Sequence, residues 1–353
     1  MSSEINDIRE PKDFKGISFS KFKKSDVRKE LLKSLQNSRI EPACYWSAEL
    51  ICAGHYGELW EIILLFYSKF IHIGNPKFAI YLDLKLQTFK KIIHNGYLNN
   101  ELRMRNSDKI RKLFCEIICI ICESKKRHSF DSIQIKSTDF DLTNLTDRLK
   151  APSMTYVDNV FRKEDPKELF IALNELSYNL HEDVKNSVSA CYWIEWIIEF
   201  ETACEKRKEK CICDRRQEIP VEPKYQKDII WLVWCVLLEI KAPPFTKKVI
   251  KSLLQLFCLR YNKPCCRKRK NILYFAVEML TCRIALNEDI VKNKEKVANI
   301  VSQIEYIYTQ IKTHEESPNT DYLFQNPNAS NLEKTIQKLD QMRNFENGFI
   351  PRL

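Results

Sequence analysis

Apolar residues recur at helical spacing through most of the chain, separated by short polar stretches. In the first part, the pattern predicts five helices that begin near residues 25, 42, 58, 77 and 107. We expect the third helix to end near residue 72 and the fourth at Asn95 and Gly96, a common helix stop. The fifth, about 107–124, is apolar around most of its circumference, so it should lie at the centre of the fold.

A second group of helices follows a stretch that lacks helical period. Residues 129–160 are rich in Asp, Ser and Thr and predict a linker, with room for a short extended segment. Beyond it, the pattern predicts helices around 169–176 and 193–200, and over 228–240, 246–261 and 271–286. A single amphipathic helix is predicted for residues 291–312, and a short terminal helix for residues 332–342.

The motif Ala-Cys-Tyr-Trp occurs at residues 43–46 and again at 190–193, which is 147 positions later. Four shorter matches occur in the same order at offsets of 138 to 147, so we predict an internal tandem duplication. The predicted fold is all-α, with two related multi-helix units and a C-terminal extension. The predicted ranges are 1–24 for a polar, irregular lead, 25–128 for unit 1, 129–160 for the linker, 161–286 for unit 2 and 287–353 for the extension.

Composition supports a helical globular protein. The 353 residues are 44% hydrophobic, and only six are glycine, which leaves little material for hairpin turns. The chain has fourteen cysteines but no apolar signal segment at residues 1–6, so we expect a reducing, intracellular compartment. The longest apolar runs reach 10 to 12 residues, short of the ~20 that a membrane helix needs. No membrane span is therefore expected.

The net charge of +10 is concentrated in basic runs. Two of these runs follow apolar helices at an offset of 143, and we expect them to occupy equivalent places on the two units. Such runs can neutralise nucleic-acid phosphates, but cations near helix C-termini are also favoured by the helix dipole, and both readings stay open. The candidate phosphate contacts are Lys125, Lys126, Arg127, Arg267, Lys268, Arg269 and Lys270.

Cysteine spacing offers two candidate metal sites. Cys115, Cys119 and Cys122 have the spacing that ligates an iron–sulfur cluster in radical-SAM enzymes, but isoleucines fill the gaps and indicate a buried helix. A second set lacks the paired spacing that structural zinc favours. We therefore predict no metal and no cofactor, with zinc kept as the alternative for the second set, which comprises Cys204, Cys211, Cys213, Cys258, Cys265, Cys266 and Cys282.

One acid–base cluster stands out, because His55 lies between Gly54 and Gly57 with Glu49 and Glu58 nearby. The second unit has no matching histidine, and we favour a packing role for His55. The chain also lacks a phosphate-binding glycine loop of the Walker type. We predict no catalytic residues and lean against an enzyme.

Residues 44–50, continued by 53–55 and 59–61, resemble uncharacterised proteins encoded by large nucleocytoplasmic DNA viruses. The resemblance covers residues 42–85 and implies a viral protein that acts in the host cytoplasm, in viral factories or in the virion. It brings no active site with it.

Duplicated helical units leave broad outer surfaces, so we predict a non-enzymatic binding or scaffold protein of a viral assembly that docks other proteins. A nucleic-acid-associated factor that uses the basic runs is the alternative. The proposed partner-docking residues are the apolar stripe of the terminal helix, Leu332, Ile336, Leu339 and Met342.

Overall fold

The computed structural model describes residues 3–96, 101–284 and 286–316. Within these ranges the chain forms thirteen α-helices, several short 3₁₀ turns and no β-strand, which confirms the all-α prediction. None of the described helices combines the length and the apolar character that crossing a bilayer requires. The predicted terminal helix at 332–342, with its four docking residues, lies outside the described residues.

Five α-helices build the first half of the molecule. Their bounds are α1 Lys24–Gln36, α2 Ile40–Cys52, α3 Tyr56–Phe66, α4 Phe78–His94 and α5 Asp108–Glu123. Helix α2 packs against both α1 and α5, and α4 packs against α5. Helix α5 has the central position expected from its sequence, because residues on most of its sides are buried.

The third helix ends earlier than predicted. After Phe66 the chain forms a π-helical turn, Tyr67–Ile71, and then a 3₁₀ turn, His72–Gly74. The turn brings Gly74 against the segment that follows α5, where a Cβ atom on Gly74 would lie 2.3 Å from the carbonyl oxygen of Lys125. Only glycine allows this close approach, so the turn at His72–Gly74 depends on glycine at position 74.

The second half contains six helices. Their bounds are α6 Phe170–Leu180, α7 Ser187–Lys206, α8 Ile230–Glu239, α9 Pro244–Phe257, α10 Cys265–Lys268 and α11 Lys270–Thr281. Helix α6 packs along α7, and α11 packs against α7 and α9. The two halves join where α4 meets α9 and where the ring of Tyr67 meets that of Phe275, with 5.5 Å between centroids.

The internal duplication is not confirmed by the fold. The repeated tetrapeptide lies in α2 and α7, each of which packs against the helix before it. The later matches do not fall in equivalent places. Phe114 lies in the middle of α5 whereas Phe257 ends α9, and residues 125–127 follow α5 whereas residues 268–270 lead into α11. The duplication therefore stays a prediction.

The segment predicted as a linker, 129–160, is irregular but packed. It contains the 3₁₀ helices Ser137–Phe140 and Leu142–Arg148 and no strand. The ring of Phe140 lies against Trp196, whose indole N–H donates to the carbonyl oxygen of Asp139 at 2.7 Å. Phe130 packs edge-on against Tyr274. These contacts hold the segment against the second half of the molecule.

The prediction of one helix over residues 291–312 is wrong. The structure has two helices, α12 Lys294–Ser302 and α13 Glu305–Lys312, with a break around Gln303. Helix α12 packs on α5 and α13 packs on α2. The two helices therefore pack on different helices of the first half.

The described part of the N-terminal lead packs beside α13 on the first half. The stacked rings of Phe14 and Phe19 are buried, and the guanidinium of Arg9 lies 4.7 Å from the centroid of each ring. The backbone N–H of Ile8 donates to the carbonyl oxygen of Glu316 at 3.0 Å. The first and last described segments are therefore neighbours.

Candidate functional site

A groove lies between α2 and the broken pair α12–α13. We call it the α2–α13 groove, and its volume is about 930 Å³. Ile40, Glu41 and Cys44 contribute to one wall, and the opposite wall includes Lys296, Ile300, Ile304, Tyr306 and Ile307. The break at Gln303 opens this space, because α13 leaves the surface of α5 that α12 follows.

The lining of the groove is apolar with a charged rim. Ile304 and Ile307 are buried, whereas the side chain of Tyr306 is 66% exposed. On the rim, Lys296 pairs with Glu123 at 3.0 Å, and Glu41 is exposed. Such a surface has anchors for an apolar ligand and polar groups that can orient it.

Arg111 of α5 fixes α13 in place. It pairs with Glu305 at 2.5 Å, and its guanidinium lies 3.9 Å from the centroid of the Tyr308 ring. It also donates to the carbonyl oxygen of Ser3 at 3.2 Å. One buried arginine thus joins α5, α13 and the N-terminal lead.

Three cysteine thiols meet beneath the groove. Cys44 of α2 and Cys115 and Cys119 of α5 are buried, and their three sulfur atoms lie within 4.8 Å of one another. The Sγ atoms of Cys44 and Cys115 are 4.0 Å apart. Hydrogen bonds from Cys115 and then from Cys44 lower the pKa of the Cys119 thiol, although burial opposes that shift. The sulfur atoms of the cluster are of the type that binds soft metal ions.

The two cysteine sets identified in the sequence differ in whether their thiols lie close together. Cys122 is buried but lies outside the cluster, and Cys44 takes its place beside Cys115 and Cys119. Among the described residues, the seven cysteines of the alternative zinc set form no comparable group of three ligands. The sequence motif contained two of the three clustered thiols, but we interpreted it as part of a buried helix, and its spacing could not indicate the third thiol.

In the first basic run, residues 125–127, one cation is engaged with the end of α5 and two are exposed. Lys126 donates to the carbonyl oxygen of Cys122 at 2.6 Å, as a cation at a helix C-terminus, and burial lowers its pKa. Lys125 and Arg127 are exposed. They line a cavity of about 80 Å³ together with Lys77 and Lys292.

The second basic run is largely engaged in ion pairs. Arg267 pairs with Glu199, Arg269 with Glu61, and Lys270 with Glu195. Lys268 is exposed and lines a different cavity, of about 610 Å³, which lies between the two halves beside the aromatic side chains of Tyr56, Trp60 and Phe89. The two runs therefore face different cavities and do not form one continuous basic surface with equivalent positions.

The side chains of His55, Glu49 and Glu58 each contact a different partner. The Nε2 atom of His55 lies 2.7 Å from the carbonyl oxygen of Ile17. Glu49 is fully buried and accepts hydrogen bonds from Ser18 and Ser20, and Glu58 pairs with Arg28. Each group has a structural partner, so the geometry gives these side chains no shared acid–base role.

In both the groove and the thiol cluster, several side chains converge on one space. Neither was predicted as a unit, because the groove depends on the break between α12 and α13 and the cluster depends on the packing of α2 on α5. Comparisons with protein-family models, with curated proteins and with solved structures find no match to this chain.

Proposed function

We propose that this protein is a non-enzymatic helical binding protein that docks another protein through the α2–α13 groove. The observation that carries the proposal is the groove of about 930 Å³ with an isoleucine-rich lining. Grooves of this kind between helices accept the apolar face of an amphipathic helix, with anchors at i, i+3, i+4 and i+7. The partner is therefore taken to be a helical segment of another protein.

The rim and the exposed tyrosine support the same occupant. Tyr306 is the one aromatic side chain among the described residues that line the groove, and tyrosine is enriched among residues that contribute strongly to protein binding. Glu41 and Lys296 on the rim carry opposite charges and can pair with charged residues that flank a helix's apolar face. Such pairs fix the direction of the bound helix more than its affinity.

The resemblance of residues 42–85 to proteins of large nucleocytoplasmic DNA viruses motivates the wider setting of the proposal. In that setting the partner is another component of a viral assembly, in the host cytoplasm, a viral factory or the virion. The N-terminal half of α2, which contributes to one wall of the groove, overlaps the resembling stretch.

A displayed library of amphipathic helical peptides tests the docking proposal. We expect selected peptides to share apolar residues at helical spacing and to lose binding by about tenfold or more against a Tyr306→Asp variant, because the charge replaces an apolar anchor. Leu84→Asp is the matched control, since Leu84 is 62% exposed on α4 and lies outside the groove. Peptides that bind all three proteins equally, or no selected peptides at all, would refute the groove as the docking site.

Binding to nucleic acid is the second candidate. It is favoured by the four cations Lys77, Lys125, Arg127 and Lys292, which surround one small cavity. Basic groups of this kind contact phosphates without reading sequence. The acidic residues Glu288 and Asp289 line the same cavity and oppose such an interaction, which is why protein docking is preferred.

A further inference from the structure

The thiol cluster beneath the groove has the geometry of a metal site. Cys115 and Cys119 are four residues apart on α5, so their side chains lie on one face of that helix. This face packs on α2, which places Cys44 opposite them. Two helices that are fixed by their own packing thus present three sulfur ligands to one point.

The distances match coordination and do not match a disulfide. Three sulfur atoms bound at about 2.3 Å to one ion in their plane lie about 4 Å apart. The Sγ atoms of Cys44 and Cys115 are 4.0 Å apart, and all three lie within 4.8 Å. A disulfide needs about 2.05 Å between sulfurs, and all three thiols are free. An ion would therefore enter with only small side-chain movements.

We propose that Cys44, Cys115 and Cys119 bind one soft d¹⁰ cation, either Zn²⁺ or Cu⁺. Thiolate sulfur selects these ions over hard cations such as Mg²⁺ or Ca²⁺. Binding forms three metal–sulfur bonds and releases the protons of the bound thiols to solvent. The proposal goes beyond the docking function. Cys44 also lines the groove, whereas the other two ligands, Cys115 and Cys119, are not among its lining residues.

The surroundings define the coordination number. Cys44 and Cys119 are fully buried, and the described residues supply no fourth carboxylate, imidazole or thiol ligand to the group. Three thiolates complete a trigonal site for Cu⁺, whereas Zn²⁺ favours four ligands and needs one from outside the cluster. Cys44 borders the α2–α13 groove but is fully buried, so we expect an ion or an external ligand from the groove to reach it only when side chains of the groove wall move.

The test uses the full chain with its thiols reduced by a phosphine and its metal removed. The exposed Cys282 is replaced by serine in every protein so that surface binding is not counted. Zn²⁺ and Cu⁺ are then titrated separately in competition with a chromophoric chelator. X-ray absorption of the loaded protein counts the sulfur neighbours of the metal. We expect one equivalent of one of the two ions and three sulfur neighbours.

Cys119→Ser is expected to weaken binding by more than about 100-fold, because it removes a direct ligand. Cys122→Ser is the matched control, since Cys122 is equally buried on the same helix, three residues away, and lies outside the cluster. Cys44→Ala provides a second loss-of-ligand variant on the other helix. Far-ultraviolet circular dichroism confirms that each variant is folded before it is titrated.

Two outcomes would overturn the proposal. One is a folded, reduced protein that binds neither ion stoichiometrically. The other is an equal loss of affinity in Cys122→Ser and Cys119→Ser. Trigonal sulfur coordination with Cu⁺ alone would identify a copper site, and three sulfurs with one lighter neighbour would identify zinc. Peptide binding to Tyr306→Asp is measured separately, so failure of the docking proposal leaves this result unaffected.

Discussion

At the scale of single residues, neighbours in one basic run have opposite environments. Arg269 is 2% exposed and donates both to the carboxylate of Glu61 and, at 2.6 Å, to the carbonyl oxygen of Phe257. Arg267 is 50% exposed and pairs with Glu199 at 2.8 Å. The run therefore combines an internal tie between the two halves of the molecule with an ordinary surface ion pair.

We expect Arg269→Ala to lower the free energy of unfolding by about 2 to 3 kcal/mol, because Glu61 and the Phe257 carbonyl lose their partner. Arg267→Ala should cost less than about 1 kcal/mol, since exposed ion pairs contribute little. Urea unfolding followed by circular dichroism measures both changes. Equal losses in the free energy of unfolding for the two variants would contradict the structural role assigned to Arg269.

The thiol cluster could be predicted only in part from the sequence. Cys115 and Cys119 share a helix, so their spacing was visible, but Cys44 is 71 positions from Cys115. Only the packing of α2 on α5 makes these thiols neighbours. The prediction from apolar spacing that α5 is a core helix was correct. The same pattern gave no sign of the cluster, because buried cysteine resembles any small apolar residue.

At the scale of elements, apolar periodicity located most of the helices, including α4 and α5 with ends close to those expected. It did not locate the break between α12 and α13, because Val297, Ile300, Ile304 and Ile307 keep helical spacing across it. The break arises from tertiary contacts, since α12 and α13 pack on different helices. Local sequence carries no proline or glycine that would mark it.

Arg111 is expected to decide whether α13 and the N-terminal lead stay docked. Removing it in Arg111→Ala deletes the pair with Glu305 and the contacts with Tyr308 and Ser3. Amide hydrogen exchange should then accelerate in residues 3–9 and 305–312 but not in α6 to α9, because local opening follows loss of local contacts.

Lys112→Ala is the control for this experiment. Lys112 is the next residue on α5, and its pair with Asp108 is exposed on both sides. Exchange in residues 3–9 and 305–312 should therefore match that of the unmodified protein. Equal acceleration in both variants would mean that α5 as a whole had loosened, and Arg111 would lose its assigned role.

At the scale of the whole molecule, the two halves are joined rather than separate. Helix α4 packs on α9, and Asn75 donates to the carbonyl oxygen of Ile290 at 3.0 Å. Helices α12 and α13 return to the first half, where α12 packs on α5 and α13 packs on α2. This return creates the α2–α13 groove. The groove lies next to Lys126 of the first basic run, which donates to Ser38 at 2.8 Å.

The positive charge of the whole molecule is largely neutralised where the two basic runs lie. The net charge of +10 suggests affinity for nucleic acid, but most cations of the two candidate runs are already occupied by carboxylates or carbonyl oxygens. Lys125, Arg127 and Lys268 are the exposed ones without such a partner in the described chain. Each phosphate contact adds about −0.9 to the slope of log affinity against log salt. The runs should therefore contribute no more than about −3 to that slope.

Binding of a labelled generic duplex and a single strand across a salt series measures this contribution. We expect binding only at low salt, and we expect joint replacement of Lys125, Arg127 and Lys268 with alanine to make the slope shallower by about 3 at most. Joint replacement of Arg267 and Lys270 is the control and should change it little, because both side chains are paired. A steep slope at physiological salt, made shallower by both sets of substitutions, would mean that the ion pairs break so that their cations contact phosphates. That result would favour nucleic-acid binding over docking of a protein helix.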